Sequence, residues 1–220
     1  MLLGSIDQFL SIFQPDVKIN AVRSEKGSVT KASIKFQVSS AFYYAEEKFG
    51  GGDYLVLDDL GGEWADHILI NGSEIGFVHS KANTSKFSAT AFTEIIGQAQ
   101  KNMGSLNAVD SQIKRKAAFW KNDYQKDRVL TKIKRLRKGN SVDDFVKRYI
   151  RLKSEPNSRK SVYLVVNFIS KALLETNLKK LRDDIQFKER KEAIQILWQI
   201  SSLIASGREH NIGVYILCKP

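Results

Sequence analysis

Between Asp53 and Lys101 the chain gathers side chains that handle metal ions and phosphates. Asp58, Asp59, Glu63, Asp66, His79 and Lys81 fall at the ends of three short apolar runs. Carboxylates are hard oxygen ligands, suited to Mg²⁺. An imidazole can bind a softer ion such as Mn²⁺ or act as a general base near its ordinary pKa. A lysine amine can hold an attacking water and stabilise a charged transition state. Phosphodiester hydrolysis needs developing charge neutralised and hydroxide produced near neutral pH, and a divalent ion supplies both. Asp66 is the first metal ligand to expect, and Glu63, three residues earlier, is a second. Asp58 and Asp59 also read as solvated turn residues, and His79 as a structural histidine. Both alternatives stay open here.

Elements that would carry these groups are legible around them. D-Y-L-V-L-D-D, H-I-L-I-N and E-I-G-F-V-H-S-K are rich in branched and aromatic residues. They are separated by Leu60-Gly61-Gly62 and Asn71-Gly72-Ser73, the signal of an antiparallel meander with tight hairpins. Upstream, Ser39-Ser40 caps a helix from Ala41 to Phe49 that ends at three glycines. Glu46 and Glu47 lie in its last turn, where the macrodipole disfavours acids, so something else is expected to hold one of them. Downstream, Phe92, Ile95, Ile96, Ala99 and Met103 recur at helical spacing behind Ser88 or Thr90, and Gly104 ends that helix.

The flanks are read in the same way. Ile6 to Phe13 is a short apolar segment closed before Pro15. Lys18 to Arg23 and Val29 to Val38 read as two strands of a hairpin, the second because Ala32, Ile34, Phe36 and Val38 alternate with polar residues. Val109 to Tyr124 and Lys126 to Lys138 look helical. Another helix follows Gly139-Asn140, with Ser141 as cap and Asp143-Asp144 in its first turn. Residues 154–161 read as a linker. Val162 to Ile169 is an apolar run of the kind buried on both faces, Glu189 to Ser206 a largely buried helix, and Ile212 to Cys218 a last strand. Strand, helix and strand at this spacing suggest a parallel crossover.

In 220 residues the chain carries 42% apolar residues and a net charge of +11. From Lys114 to Lys160 there are 17 lysines and arginines against 5 aspartates and glutamates; elsewhere the balance is 18 against 19. So localised an excess points to a polyanionic partner. The nucleic-acid contacts to expect are Lys114, Arg115, Lys132, Lys134, Arg135, Arg137 and Lys138, with Gln98 on the preceding helix. Phe119, Trp120, Tyr124, Phe145 and Tyr149 interleave with them, either as packing or as a surface on which bases stack. One cysteine, no secretory leader pattern and no apolar run near the roughly 20 residues of a membrane span lead us to expect a cytoplasmic protein. A P-loop, a dinucleotide-binding glycine fingerprint and a zinc-protease motif are absent. H-S-K opens a phospholipase D-like H-x-K motif, but Lys86 stands where its aspartate should be.

The order of helix, three-stranded meander, helix and strand, with Asp66 opening the second meander strand and Lys81 closing the third, resembles the PD-(D/E)xK restriction-endonuclease-like nucleases. That resemblance implies an α/β fold with a mixed sheet, and a Mg²⁺- or Mn²⁺-dependent endonuclease acting on DNA, RNA staying open. It implies Asp66 as the metal-binding aspartate, Lys81 as the family lysine and Glu46 or Glu47 as the acid of the first helix; with Glu63 from the chemistry above, the site to expect has Asp66, Glu63 and Glu47 as metal ligands and His79 and Lys81 beside them. His79 departs from the family, which has Glu or Asp there. The segments expected are an N-terminal hairpin (1–38), a first part of the nuclease-like core (39–105), a basic helical insertion (106–160) and the completion of the core (161–220). A looser likeness links G-G-E-W-A-D-H-I, F-V-H-S-K, I-I-G-Q-A-Q-K and Y-I-L-C-K-P to C-terminal parts of helicase-like proteins in bacterial antiviral defence clusters. It implies a larger defence complex or a fused helicase, and an oligomer is possible. The alternative is a silent module that keeps the fold and binds nucleic acid or a partner protein.

Overall fold

A computed structural model describes residues 5–220. The elements are α1 (Ile6–Leu10), β1 (Phe13–Pro15), a 3-10 turn (Val17–Ala21), α2 (Ala41–Phe49), β2 (Tyr54–Leu57), β3 (His67–Asn71), β4 (Glu74–Lys81) and α3 (Ala89–Asn102). After them come α4 (Asp110–Trp120), β5 (Asp123–Lys126), β6 (Val129–Lys134), β7 (Leu136–Lys138), α5 (Val142–Ser154), β8 (Arg159–Ser170), α6 (Lys171–Arg182), α7 (Arg190–Glu209) and β9 (Ile212–Lys219).

A seven-stranded mixed sheet runs in the order β1-β9-β8-β4-β3-β2-β7. β2, β3 and β4 form the expected antiparallel meander. β8 lies parallel to both β4 and β9, so the crossover through α6 and α7 returns to the same sheet. The β3–β4 turn is Gly72-Ser73, and Gly72 has φ +56°, which a tight two-residue hairpin requires and glycine adopts freely. Ser40, Ser88 and Ser141 cap α2, α3 and α5, each accepting an amide hydrogen three residues on at 3.0–3.2 Å.

Three expectations are corrected. The N-terminal hairpin does not form: residues 18–23 fall largely in the 3-10 turn, and 29–38 lie outside any strand. Of the alternating apolar residues there only Phe36 is buried, while Ile34 and Val38 are 67% and 64% exposed, so the alternation never meets a partner sheet. Residues 126–138 are not helical. β5 and β6 make a separate two-stranded ribbon, and β7 joins the edge of the main sheet. The burial of β6 alternates: Thr131 and Ile133 point inward while Leu130, Lys132 and Lys134 are exposed, the period of a strand. Asp127 and Arg128, at φ +48° and +68°, form the two-residue turn of the ribbon. Finally, residues 159–161 belong to β8 rather than to a linker.

α6 has no counterpart in the sequence reading. Its signal was present: Ser170 accepts the amide hydrogen of Leu173, and Leu174, Leu178 and Leu181 recur on the buried side. One apolar cluster joins residues from all four expected segments, among them Phe9, Phe92, Ile113 and Ile216, so none of the four has a core to itself.

Candidate active site and basic surface

Asp66 sits immediately before β3, and its amide donates to the carbonyl of Val78 on β4 at 3.1 Å. Its Oδ2 accepts the amide hydrogen of Ser80 at 2.6 Å. The carboxylate at the head of one strand is thereby tied to the end of the next, one residue from Lys81. Asp66 is buried, and its pKa is raised well above the ordinary aspartate value. Burial is the main cause, the charges of Asp59 and Glu25 add to it, and the Ser80 amide and Lys26 oppose it.

Lys26 completes this cluster. Its Nζ lies 2.9 Å from Asp59 Oδ2. Burial works against the ammonium, yet Asp59, Asp66 and Glu25 together hold its pKa above the usual lysine value. Lys81 Nζ lies 2.8 Å from Glu94 on α3 and 3.6 Å from Glu25. The bond to Glu94 is the chief reason that its pKa is raised. Asp59 is held in turn by the Tyr124 hydroxyl at 2.9 Å, and its carbonyl accepts from Arg135 Nη1 at 3.0 Å. An open cleft of about 450 Å³, lined by residues 24–28, Gln37 and Lys126, lies beside the cluster. Sequence reasoning missed Glu25, Lys26 and Glu94: Lys26 meets Asp59 across 33 residues, and Glu94 faces Lys81 only once α3 packs on β4.

His79 is 2% exposed, and its Nε2 has no hydrogen-bond partner among the described residues. Burial lowers its pKa to about 4, so the ring is neutral at neutral pH. Glu63 is half-buried in the β2–β3 loop, where its amide donates to the Leu60 carbonyl. Glu47 is exposed on α2; its neighbour Glu46 is the inward-facing acid. Arg137 grips Glu46 in a fork, Nε at 2.6 Å and Nη2 at 2.9 Å, and His67 Nε2 lies 3.6 Å away. Burial favours the protonated acid, but His67 and Arg137 outweigh it and hold Glu46 below the ordinary glutamate value. This is what keeps an acid at the end of α2.

Asp58 is structural. Fully buried, it accepts from Lys116 Nζ at 2.6 and 2.8 Å, from Trp120 Nε1 at 2.7 Å and from the Trp64 amide at 2.8 Å. Burial raises its pKa, with Lys116 opposing. The network pins the β2–β3 loop, which carries Asp59 and Glu63, against α4. Among the described residues no group of three or more His, Cys, Asp or Glu side chains is spaced to hold a metal ion. Chemically, Asp66 and Asp59 are hard oxygen donors that suit Mg²⁺ or Mn²⁺, whereas Glu47 is exposed on α2 and His79 is buried on β4 with Nε2 unpartnered among the described residues.

The basic block divides by partner. Arg135 is buried and donates to the carbonyls of Leu57 and Asp59, and Arg137 is committed to Glu46, so neither faces outward as expected. Lys114, Arg115, Lys132, Lys134 and Lys138 are exposed, as is Gln98 on α3. Lys134 pairs with Asp123 at 2.7 Å. Of the interleaved aromatics, Trp120, Tyr124, Phe145 and Tyr149 are core residues; only Phe119 is exposed, at 52%. No helix among the described residues is long and apolar enough to cross a membrane.

No family model matches the chain, and neither a curated protein nor a solved structure matches it.

Proposed function

We propose that the chain is a metal-dependent nuclease with a restriction-endonuclease-like core, hydrolysing DNA phosphodiester bonds. The observation that carries this reading is the Asp66–Ser80 hydrogen bond, which sets a buried acid at the head of β3 beside Lys81 at the end of β4. The order α2, β2–β3–β4, α3 and β8 is the order that the family resemblance implies. Burial first, and then the charges of Asp59 and Glu25, disfavour the Asp66 carboxylate, and a bound cation would offset both.

Asp66 and Asp59 would hold the ion, which supplies Lewis acidity and a metal-activated water when bound. Lys81 stabilises charge on the phosphate and orients the attacking water. Lys26 partly offsets the charge of these carboxylates. Buried, with its pKa lowered to about 4, His79 is a weak base shielded from water, and its role in this reading is to pack β4. The likeness to helicase-like defence proteins is the ground for a role against foreign DNA, alone or within a larger assembly.

A second reading is a silent module that retains nucleic-acid binding. His79 in place of an acid, and Lys81 already paired with Glu94, favour it. Plasmid cleavage with Mg²⁺, with Mn²⁺ and with EDTA separates the two. Nicking that needs the ion and disappears in Asp66→Asn supports the nuclease; no cleavage with any divalent ion supports the module.

A further inference from the structure

We infer that the β5–β6 ribbon, together with the loop 29–38 that bonds to it, forms a duplex-DNA-binding surface that feeds the Asp59–Asp66 cluster. The inference rests on the nuclease reading for its purpose and on separate residues for its evidence. The ribbon has one anchored face and one free face. Inward, Tyr124 and Ile133 pack into a cluster with Phe36, Phe42 and Leu57. Outward, Gln125, Leu130, Lys132 and Lys134 are exposed. The Lys132 amide donates to the Ser33 carbonyl at 2.9 Å, which brings loop 29–38 alongside, with Lys31, Ile34, Lys35 and Val38 exposed.

Charge decides the partner. Exposed Lys31, Lys35, Arg128 and Lys132 form no carboxylate pair among the described residues, and on the ribbon and loop only the tip residue Asp127 offers an exposed acid. Cations without carboxylate partners on the outer face of a two-stranded ribbon and its flanking loop suit the phosphates and the major groove of a duplex. Exposed Ile34, Val38 and Leu130 between them match the apolar share of base-edge contact. The anchor points toward catalysis. Tyr124 of the ribbon bonds Asp59, and Lys126 Nζ donates to the Gly27 carbonyl at 2.9 Å, so ribbon and Lys26 loop flank one cleft.

The test is fluorescence anisotropy with a labelled DNA duplex in EDTA, so that binding is read without cleavage. The variant Lys31→Glu/Lys35→Glu/Arg128→Glu/Lys132→Glu should bind at least tenfold more weakly. Its plot of log K against log[salt] should flatten by about 0.9 for each phosphate that the protein no longer neutralises. A control with equal charge change on other elements, Lys147→Glu/Lys179→Glu/Lys188→Glu/Lys191→Glu, should stay within threefold of the parent. All eight side chains are exposed; if the first variant does not melt like the parent, the four-fold Gln set repeats the comparison. Equal losses in both variants, no loss in the first, or a parent preference for single strands would each overturn the inference. Asp66→Asn should keep duplex affinity. Ribbon-dependent binding without cleavage would sink the nuclease reading alone, and cleavage without ribbon dependence would sink this one alone.

Discussion

Lys26 Nζ and Asp59 Oδ2 are 2.9 Å apart, and through this pair an amine from the N-terminal loop sits among the carboxylates of the candidate site. The position is that of a cation inside an acidic cluster. Added divalent ion would therefore compete with Lys26 for the same oxygens. Lys26→Met should raise Mg²⁺ affinity, read by calorimetry, and an unchanged or weaker affinity would show that Asp59 is no ligand.

Asp66 carries a stability cost at neutral pH. Its folded pKa lies above the unfolded value near 3.8, so the folded state binds more protons and stability falls as pH rises past that value. Asp66→Asn keeps an oxygen for the Ser80 amide and removes the charge, so at pH 7 its melting temperature should rise. A divalent ion at a hundredfold excess over Kd should stabilise the parent by about 2.7 kcal/mol and leave Asp66→Asn unmoved. An equal shift in both proteins would place the ion elsewhere.

His79 reverses that sign. Its folded pKa of about 4 lies below the ordinary imidazole value of 6.5, so the unfolded chain takes up the proton first. Stability should drop by up to about 3 kcal/mol as pH falls from 6.5 to 4, and His79→Gln should flatten the drop. Urea titrations across that window read it directly. The pH profile of cleavage should be the same in His79→Gln as in the parent; a limb near pH 6.5 that vanished in His79→Gln would make the ring catalytic after all.

Lys116→Ala should cost roughly 3–5 kcal/mol, because it leaves the Asp58 carboxylate buried and unpaired. Removing the charge as well, in Asp58→Asn/Lys116→Met, should recover part of the loss. A cost under about 1 kcal/mol for the single variant would mean that water reaches Asp58.

Arg137→Ala should cost about 3 kcal/mol, by stranding Glu46, and leave the salt dependence of duplex binding unaltered. Lys132→Ala should do the reverse, sparing stability and flattening the salt slope by about 0.9.

What was legible depended on how local its cause is. Gly72, Ser40, Ser88 and Ser141 act on residues within a few positions, and the meander and three helices follow from them. The alternation in Val29 to Val38 is equally local, but a strand also needs a partner edge, and a single amide from Lys132 is what that segment receives from β6. Lys126 to Lys138 was obscured by its charges, which mask the inward Thr131 and Ile133. Asp66 and Lys81 could be paired through adjacent strands, whereas Glu25, Lys26 and Glu94 meet them only by folding. Arg135 and Arg137 count as free cations in a sequence; their partners Asp59 and Glu46 lie 76 and 91 residues away.

The parallel pairing of β4 with β8 carries a consequence for synthesis. Glu74 meets Arg159 and Lys81 meets Val166, so the strand that ends in Lys81 waits for chain made 85 residues later. Until β7 and then β8 follow, the meander leaves the ribosome with open edges, templates for pairing with another nascent chain. Closing so long a loop is slow, and the yield of active protein from a cell should depend on temperature and chaperone supply more than its final stability would imply.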